Sequence, residues 1–202
     1  MPDSHDTETT GRKKKNALAA LKAARSKYIF GRKVRLRRKK VTDVRNDYNW
    51  QSDSELARLD AAPVLKLSFP VYLLDYIEAV HRRERGRFPL AIETLDGKHI
   101  GNCTCYAIDD GKSEAQVGIM IGDRDYWDKG YGADSINTLV DYIFQSTLLD
   151  RVYLKTLDWN LRAQNCFRNC GFVRYSTAIR NGHNFLFMEV SRERWQKKLN
   201  KS

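Results

Sequence analysis

Gly130 and Gly132 stand in the run YWDKGYGADSINTLV, where a loop gives way to a helical pattern. Backbone N–H groups at a helix start are unpaired, and glycines let a phosphate approach them, so this turn suits an anion such as a pyrophosphate. A lone G-x-G also serves purely structural turns, and neither the GxxxxGK[ST] nor the GxGxxG pattern is present. A second polar segment, NLRAQNCFRNCGF, begins some 30 residues later and carries Asn160, Ala163, Cys166, Phe167 and Cys170. The remaining reactive side chains form no constellation. Cys103 with Cys105 and Cys166 with Cys170 have spacings that match no standard zinc site, so buried small hydrophobes are expected and no metal. His5, His81, His99 and His183 are dispersed, with no Ser or Cys partner pattern of a triad.

These segments need elements to hold them. A strand over 115–121 leads into the glycine turn, and the helix after it carries Ile136, Leu139, Val140, Ile143 and Phe144 as one apolar stripe. A β-branched strand follows over 151–157, then a short helix over 160–170 that Gly171 stops. Upstream, strands over 88–94 and 99–108 are joined by Asp96-Gly97 and form an antiparallel meander with 115–121. Downstream, strands over 172–180 and 183–190 meet at Asn181-Gly182, and 191–199 forms a last helix. Residues 42–60 read as two short helices broken around 49–51, with a Ser52–Glu55 capping box. A further helix over 70–85 places Val71, Leu74, Ile77 and Val80 or His81 on one face, ending in the basic HRRER.

With 202 residues, 42% hydrophobic and 30% charged, the chain has ordinary globular composition and length for one core plus an extension. It contains no run of about 20 apolar residues and opens on MPDSHDTETT, so no membrane span and no secretion signal are expected, and four reduced cysteines fit the cytoplasm. The net charge of +11 is local. Before position 41 lie 14 of the 36 basic and 3 of the 25 acidic residues, which leaves the remainder balanced at 22 each. Residues 1–31 therefore read as a basic extension: 1–11 disordered, 13–30 a narrow Ala- and Lys-rich helix. Either it is a solvated or self-packing appendage, or it contacts RNA, a ribosome surface or an anionic membrane. The run GRKVRLRRKK then reads as a strand with Val34 and Leu36 facing the core and its basic residues facing water.

Taken together, the glycine turn and the NLRAQNCFRNCGF helix, in that order after a strand, resemble the GNAT superfamily of acetyl-CoA-dependent N-acetyltransferases. The superfamily motif of Gln or Arg, two residues, Gly, one residue and Gly or Ala corresponds to Trp127, Asp128, Lys129, Gly130, Tyr131 and Gly132. IGDRDYWDKGYG and MEVSRERW resemble the branch that acetylates ribosomal-protein N-termini, with relatives that modify antibiotics and nucleotide-sugars; Trp is common at the first motif position there. The resemblance spans about residues 32–197 and implies a GNAT domain over 32–202, an α/β fold with a mixed, mainly antiparallel twisted sheet flanked by helices.

The resemblance also implies roles. The pantetheine arm of acetyl-CoA pairs like a strand with the backbone of Ile119 and Ile121, and the amides from Asp128 through Lys129, Gly130, Tyr131, Gly132 and Ala133 hold the pyrophosphate, with Lys129 adding charge. Asn160 bonds the pantetheine, Ala163 and Phe167 line the thiol, and an amide at Met120 polarises the thioester carbonyl. Two positions depart from the pattern. Many members place a Tyr at Phe167 to protonate the leaving thiolate; here Cys166 or water takes that part. The branch often has a base at Gln116, and Gln is none; Glu114, on the same strand face, and Glu93 on a neighbouring strand are the alternatives.

A weak base favours weakly basic amines. An α-amine is about one-tenth neutral at pH 7, a Lys amine roughly 1 in 2,500. The expected activity is acetyl transfer from acetyl-CoA to a primary amine: first a protein N-terminal α-amine, next an aminoglycoside or amino-sugar. A non-catalytic GNAT scaffold acting as an RNA or ribosome adaptor is the competing class, and the protein is expected as monomer or homodimer.

Overall fold

A computed structural model describes residues 16–23, 27–82 and 86–200. The elements run α1 (Ala17–Lys22), β1 (Tyr28–Phe30), β2 (Val34–Arg38), α2 (Val44–Ser52), α3 (Ser54–Leu59) and α4 (Phe69–Arg82). The meander β3 (Arg87–Thr94), β4 (His99–Asp109) and β5 (Glu114–Ile121) follows, then α5 (Tyr131–Ser146), β6 (Arg151–Leu157), α6 (Leu161–Asn169), β7 (Val173–Arg180), β8 (His183–Ser191) and α7 (Arg192–Leu199). They build one eight-stranded sheet in the order β1-β2-β3-β4-β5-β6-β8-β7. Every pair is antiparallel except β5–β6.

The parallel pair creates the site. β5 and β6 are in register only from Glu114–Arg151 to Gln116–Tyr153. Beyond that, β5 stays with β4 to Gly101–Ile121 while β6 stays with β8 to Leu157–Phe185, so the two strands part and leave a cleft. The predicted stripe of α5 is wholly buried against the sheet: Ile136, Leu139 and Ile143 expose nothing, and Phe144 2%. Asn181 and Gly182 both have positive φ, 49° and 75°, as a two-residue hairpin turn of this twist needs.

Several expectations change. The helix expected over 13–30 is α1 alone among its described residues, and 28–30 pair instead with β2. Ala17 and Leu21 are 2% and 0% exposed in the main core, and Tyr142 Oη donates to the Leu21 carbonyl, so α1 packs on the body. Residues 1–15, and 83–85 of the HRRER segment, lie outside the described residues. The basic residues of β2 do not all face water. Arg37 is 4% exposed and makes two 2.7 Å bonds to Asp43 and one of 2.5 Å to Glu93. The break between α2 and α3 falls at Asp53, whose carboxylate, not Ser52, accepts from the Glu55 and Leu56 N–H groups. On α4, Val71 and Leu74 are exposed; Tyr72 and Tyr76 turn inward, because Tyr76 Oη donates to Asp47 and Gln51 Nε2 donates to Tyr72 Oη.

Candidate active site

Two cavities meet where β5 leaves β6. One, of about 620 Å³, lies between the ends of β5, the glycine turn and α6; the other, of about 750 Å³, lies under α2 and α4 against β3, β4 and β5. Both volumes suit small-molecule sites. They share three lining residues: Asp60, Ile119 and Met120.

The glycine turn is built for backbone donation. Gly130 sits at φ 82° as the N-cap of α5, a left-handed conformation that a Cβ would strain, and a Cβ on Gly132 would already touch Cys166 Sγ and Ile121. The turn is anchored from behind: Asp134 accepts from the N–H groups of Arg32, Lys33 and Val34, and Lys33 Nζ donates to the Lys129 carbonyl. Across the cleft, the Asn160 side-chain oxygen caps α6 by accepting from Ala163 N–H at 3.1 Å. Its NH₂ group has no hydrogen-bond partner among the described residues.

The alternation of β5 decides which backbone groups face the cleft. Gly122 N–H donates to the Ile100 carbonyl, which makes that pair hydrogen-bonded and, two residues back, the Met120–Asn102 pair as well. Met120 therefore turns its N–H and C=O toward β4, and its oxygen fills the space that a Cβ on Gly101 would need. Ile119 and Ile121 turn theirs to the cleft. Trp127 Nε1 donates to the Ile121 carbonyl at 2.7 Å, leaving Ile121 N–H and both groups of Ile119 available.

Of the residues expected around a cofactor, Ile119, Ile121, Asp128, Gly130, Gly132, Ala133, Asn160, Ala163 and Phe167 line the smaller cavity. Lys129 and Tyr131 do not: Lys129 Nζ donates to the Asp125 carbonyl, and the Tyr131 ring packs on Tyr126. The cation in the cleft is Arg162, stacked 3.5 Å from the centre of the Trp127 ring. It is missed in the sequence because an Arg in the first turn of a polar helix reads as solvated surface.

The expected bases lie elsewhere. Glu114 is bound to Arg151 at 2.6 Å at the paired end of β5, about 20 Å along the strand from Met120 at roughly 3.3 Å per residue. Glu93 is buried between Arg35 and Arg37 and lines neither cavity; burial opposes its ionisation, but the arginine hydrogen bonds prevail and hold it below the usual carboxylate range. Gln116 Nε2 donates to Tyr106 Oη at 2.6 Å.

Cys103 and Cys105 are buried thiols that burial pushes up to about 12, inert at neutral pH. Cys166 lines the cleft, and a hydrogen bond from Cys170 draws it below the ordinary thiol value against the effect of burial. Among the described residues no cluster of His, Cys, Asp or Glu suits a metal, and no helix is long and apolar enough to cross a membrane.

A family profile for the GNAT acetyltransferase domain matches residues 33–173. The chain belongs to the GNAT acetyltransferase family. It is an acetyl-CoA-dependent N-acetyltransferase. A protein of Bacillus licheniformis named "Uncharacterized N-acetyltransferase p20" is 25% identical over 129 residues, 63% of this chain and 71% of that protein. The aminoglycoside acetyltransferase AAC(6')-Ib solved with coenzyme A has a similar fold, with TM-score 0.69 at 20% identity over 82% of this chain and 99% of that one. Spermidine N-acetyltransferase from Vibrio cholerae, solved with CoA and spermine, gives TM-score 0.71 at 20% identity over 81% and 98%.

Proposed function

We propose that this GNAT enzyme acetylates a weakly basic primary amine, in the first place the α-amine of a protein N-terminus, which enters the larger cavity and meets acetyl-CoA at Ile119. The observation that carries this reading is the charge of that cavity. Lys22, Arg38, Lys39 and Arg87 face Asp47, Asp60 and Asp75 among its lining residues. Asp47 is already taken by Lys39 at 2.6 Å, by Asn102 and by Tyr76. Four cations against three carboxylates leave this lining no excess of negative charge to gather a polycation, and it suits a single amine on a larger body, with Trp50, Tyr72, Tyr76 and Tyr106 as its aromatic walls.

When bound, acetyl-CoA supplies an activated acetyl thioester. Arg162 and the amides from Asp128 to Ala133 would hold its pyrophosphate, and the Asn160 NH₂ and Ile121 N–H its pantetheine. The cleft-facing N–H of Ile119, in place of Met120, is the donor for the thioester oxygen. Phe167 donates no proton, so Cys166 or water protonates the leaving thiolate. The resemblance to the ribosomal-protein branch supports a protein N-terminus, and a basic first segment would add non-specific affinity for RNA. An amino-sugar is the second reading, favoured by the fold likeness to an aminoglycoside acetyltransferase.

The test is release of free CoA from acetyl-CoA with a peptide bearing only an α-amine, an Nα-blocked lysine peptide, glucosamine and spermidine. The α-amine peptide should react fastest and exceed the lysine peptide by up to about 250-fold at pH 7, the ratio of their neutral fractions. Spermidine as the best acceptor would overturn the reading.

A further inference from the structure

Resting on the acetyl-transfer reading above, we infer that Asp60 is the proton acceptor for the incoming amine. Among the carboxylates of the two cavities it alone lines both, together with Ile119 and Met120, and so stands where amine and thioester must meet. Its position is fixed by the backbone: Asp60 caps the C-terminus of α3, with its N–H bonded to the Leu56 carbonyl. No donor among the described residues bonds its carboxylate. The other expected bases are consumed, Glu114 by Arg151 and Glu93 by Arg35 and Arg37.

The chemistry of the position agrees with the geometry. Asp60 is exposed by area, but that area opens into the cleft with protein on most sides, and the enclosure governs its protonation. Enclosure raises its pKa above the ordinary value, and Lys155 opposes this only in part. A carboxylate at a helix C-terminus is raised further by the helix dipole. The groups around it are Tyr106 on β4, Lys155 on β6, Arg162 and Cys166 on α6 across one cavity, and Asp75 on α4 across the other. The Asp60 charge, after burial itself, holds Tyr106 in its neutral form.

In the step, the Asp60 carboxylate takes one proton from the ammonium and frees the nitrogen lone pair. The amine forms the C–N bond at the thioester carbon, and collapse of the oxyanion breaks the C–S bond. The second nitrogen proton reaches the departing thiolate through Cys166 or water, giving amide, CoA thiol and a protonated Asp60 that returns its proton to solvent.

Asp60→Asn and Asp60→Glu are compared with wild type, using an alanine-initiated peptide and glucosamine as acceptors. Removing a general base costs on the order of 100-fold or more, so Asp60→Asn should lose that much kcat, together with the carboxylate limb of the pH–rate profile. Acetyl-CoA affinity, read by titration calorimetry, should stay within about twofold, and Asp60→Glu should recover part of the rate and the limb. Turnover by Asp60→Asn within about threefold of wild type, with the limb retained, would overturn the assignment. Independently of any acceptor, ¹³C-carboxyl NMR of aspartate-labelled protein identifies Asp60 as the signal missing in Asp60→Asn. It should titrate above the ordinary Asp value of about 3.9, and titration at or below it overturns the assignment. Wild type that binds acetyl-CoA but acetylates no amine contradicts the function reading alone; the NMR titration then decides on Asp60.

Discussion

Trp127 closes the cleft-facing edge of β5: its indole Nε1 donates to the Ile121 carbonyl at 2.7 Å, and its ring carries Arg162 at 3.5 Å. One side chain thus caps the strand's last open acceptor and carries a cation that lines the cleft. Trp127→Phe keeps an aromatic face and loses the bond, so acetyl-CoA affinity should fall by about 1 kcal/mol, roughly fivefold. Arg162→Ala removes the charge and should cost more, about tenfold or above, with the loss shrinking at high salt. Calorimetric titrations at two salt concentrations check both.

The acceptor side is held to the sheet by ions. Arg37, Asp43 and Glu93 are each at most 4% exposed and bonded to one another through the guanidinium. Arg37→Met leaves the buried Asp43 without its guanidinium and Glu93 with Arg35 alone, and should destabilise by about 3–5 kcal/mol, measured by urea unfolding.

The same cluster sets an acid limit. Asp43 and Glu93 are opposed by burial but held below their ordinary values by arginine hydrogen bonds, with the Lys40 N–H also bonding Asp43. A depressed folded pKa contributes stability that is complete above the unfolded value of about 4 and is lost as pH falls through the folded value. Wild type should therefore lose stability steeply below about pH 4, and Arg37→Met should lose less over that interval. A greater acid loss in the variant would contradict the linkage.

How far the sequence foretold this depends on the range of the interactions concerned. The β3–β5 meander, α5 with its stripe and the Asn181-Gly182 turn are written in local periodicity and turn chemistry, and the structure has all three. The glycine turn and Asn160 are local motifs, and nine of the eleven residues expected at the cofactor line one cavity. What was illegible is long-range. Arg35, Arg37 and Lys39 read as the water-facing basic residues of a first strand, yet they pair with Glu93, Asp43 and Asp47, up to 58 positions away. A charge count per segment cannot see ions that cancel across segments. Alternation places Glu114 and Met120 on one face of β5, but strand pairing carries the first out of reach and turns the amide of the second toward β4. Asp60 has no pattern at all; it matters only because a short helix ends over the cleft.

Residues 17–30 give a further test, since composition sets them apart from the body while Leu21 is fully buried in it. Leu21→Ala should destabilise the whole protein by about 2–5 kcal/mol, with one cooperative transition. A change below about 0.5 kcal/mol would mean that α1 is an appendage.

On the function proposed above, acetyl-CoA occupies the cleft between β5 and α6. Titration calorimetry of acetyl-CoA into wild type and Ala163→Trp, which fills that cleft from α6, tests it most directly. Wild type should bind in the micromolar range, and the variant, with its thermal unfolding unchanged, should bind at least about tenfold more weakly. Absence of binding to wild type, or equal binding to both proteins, would contradict the account.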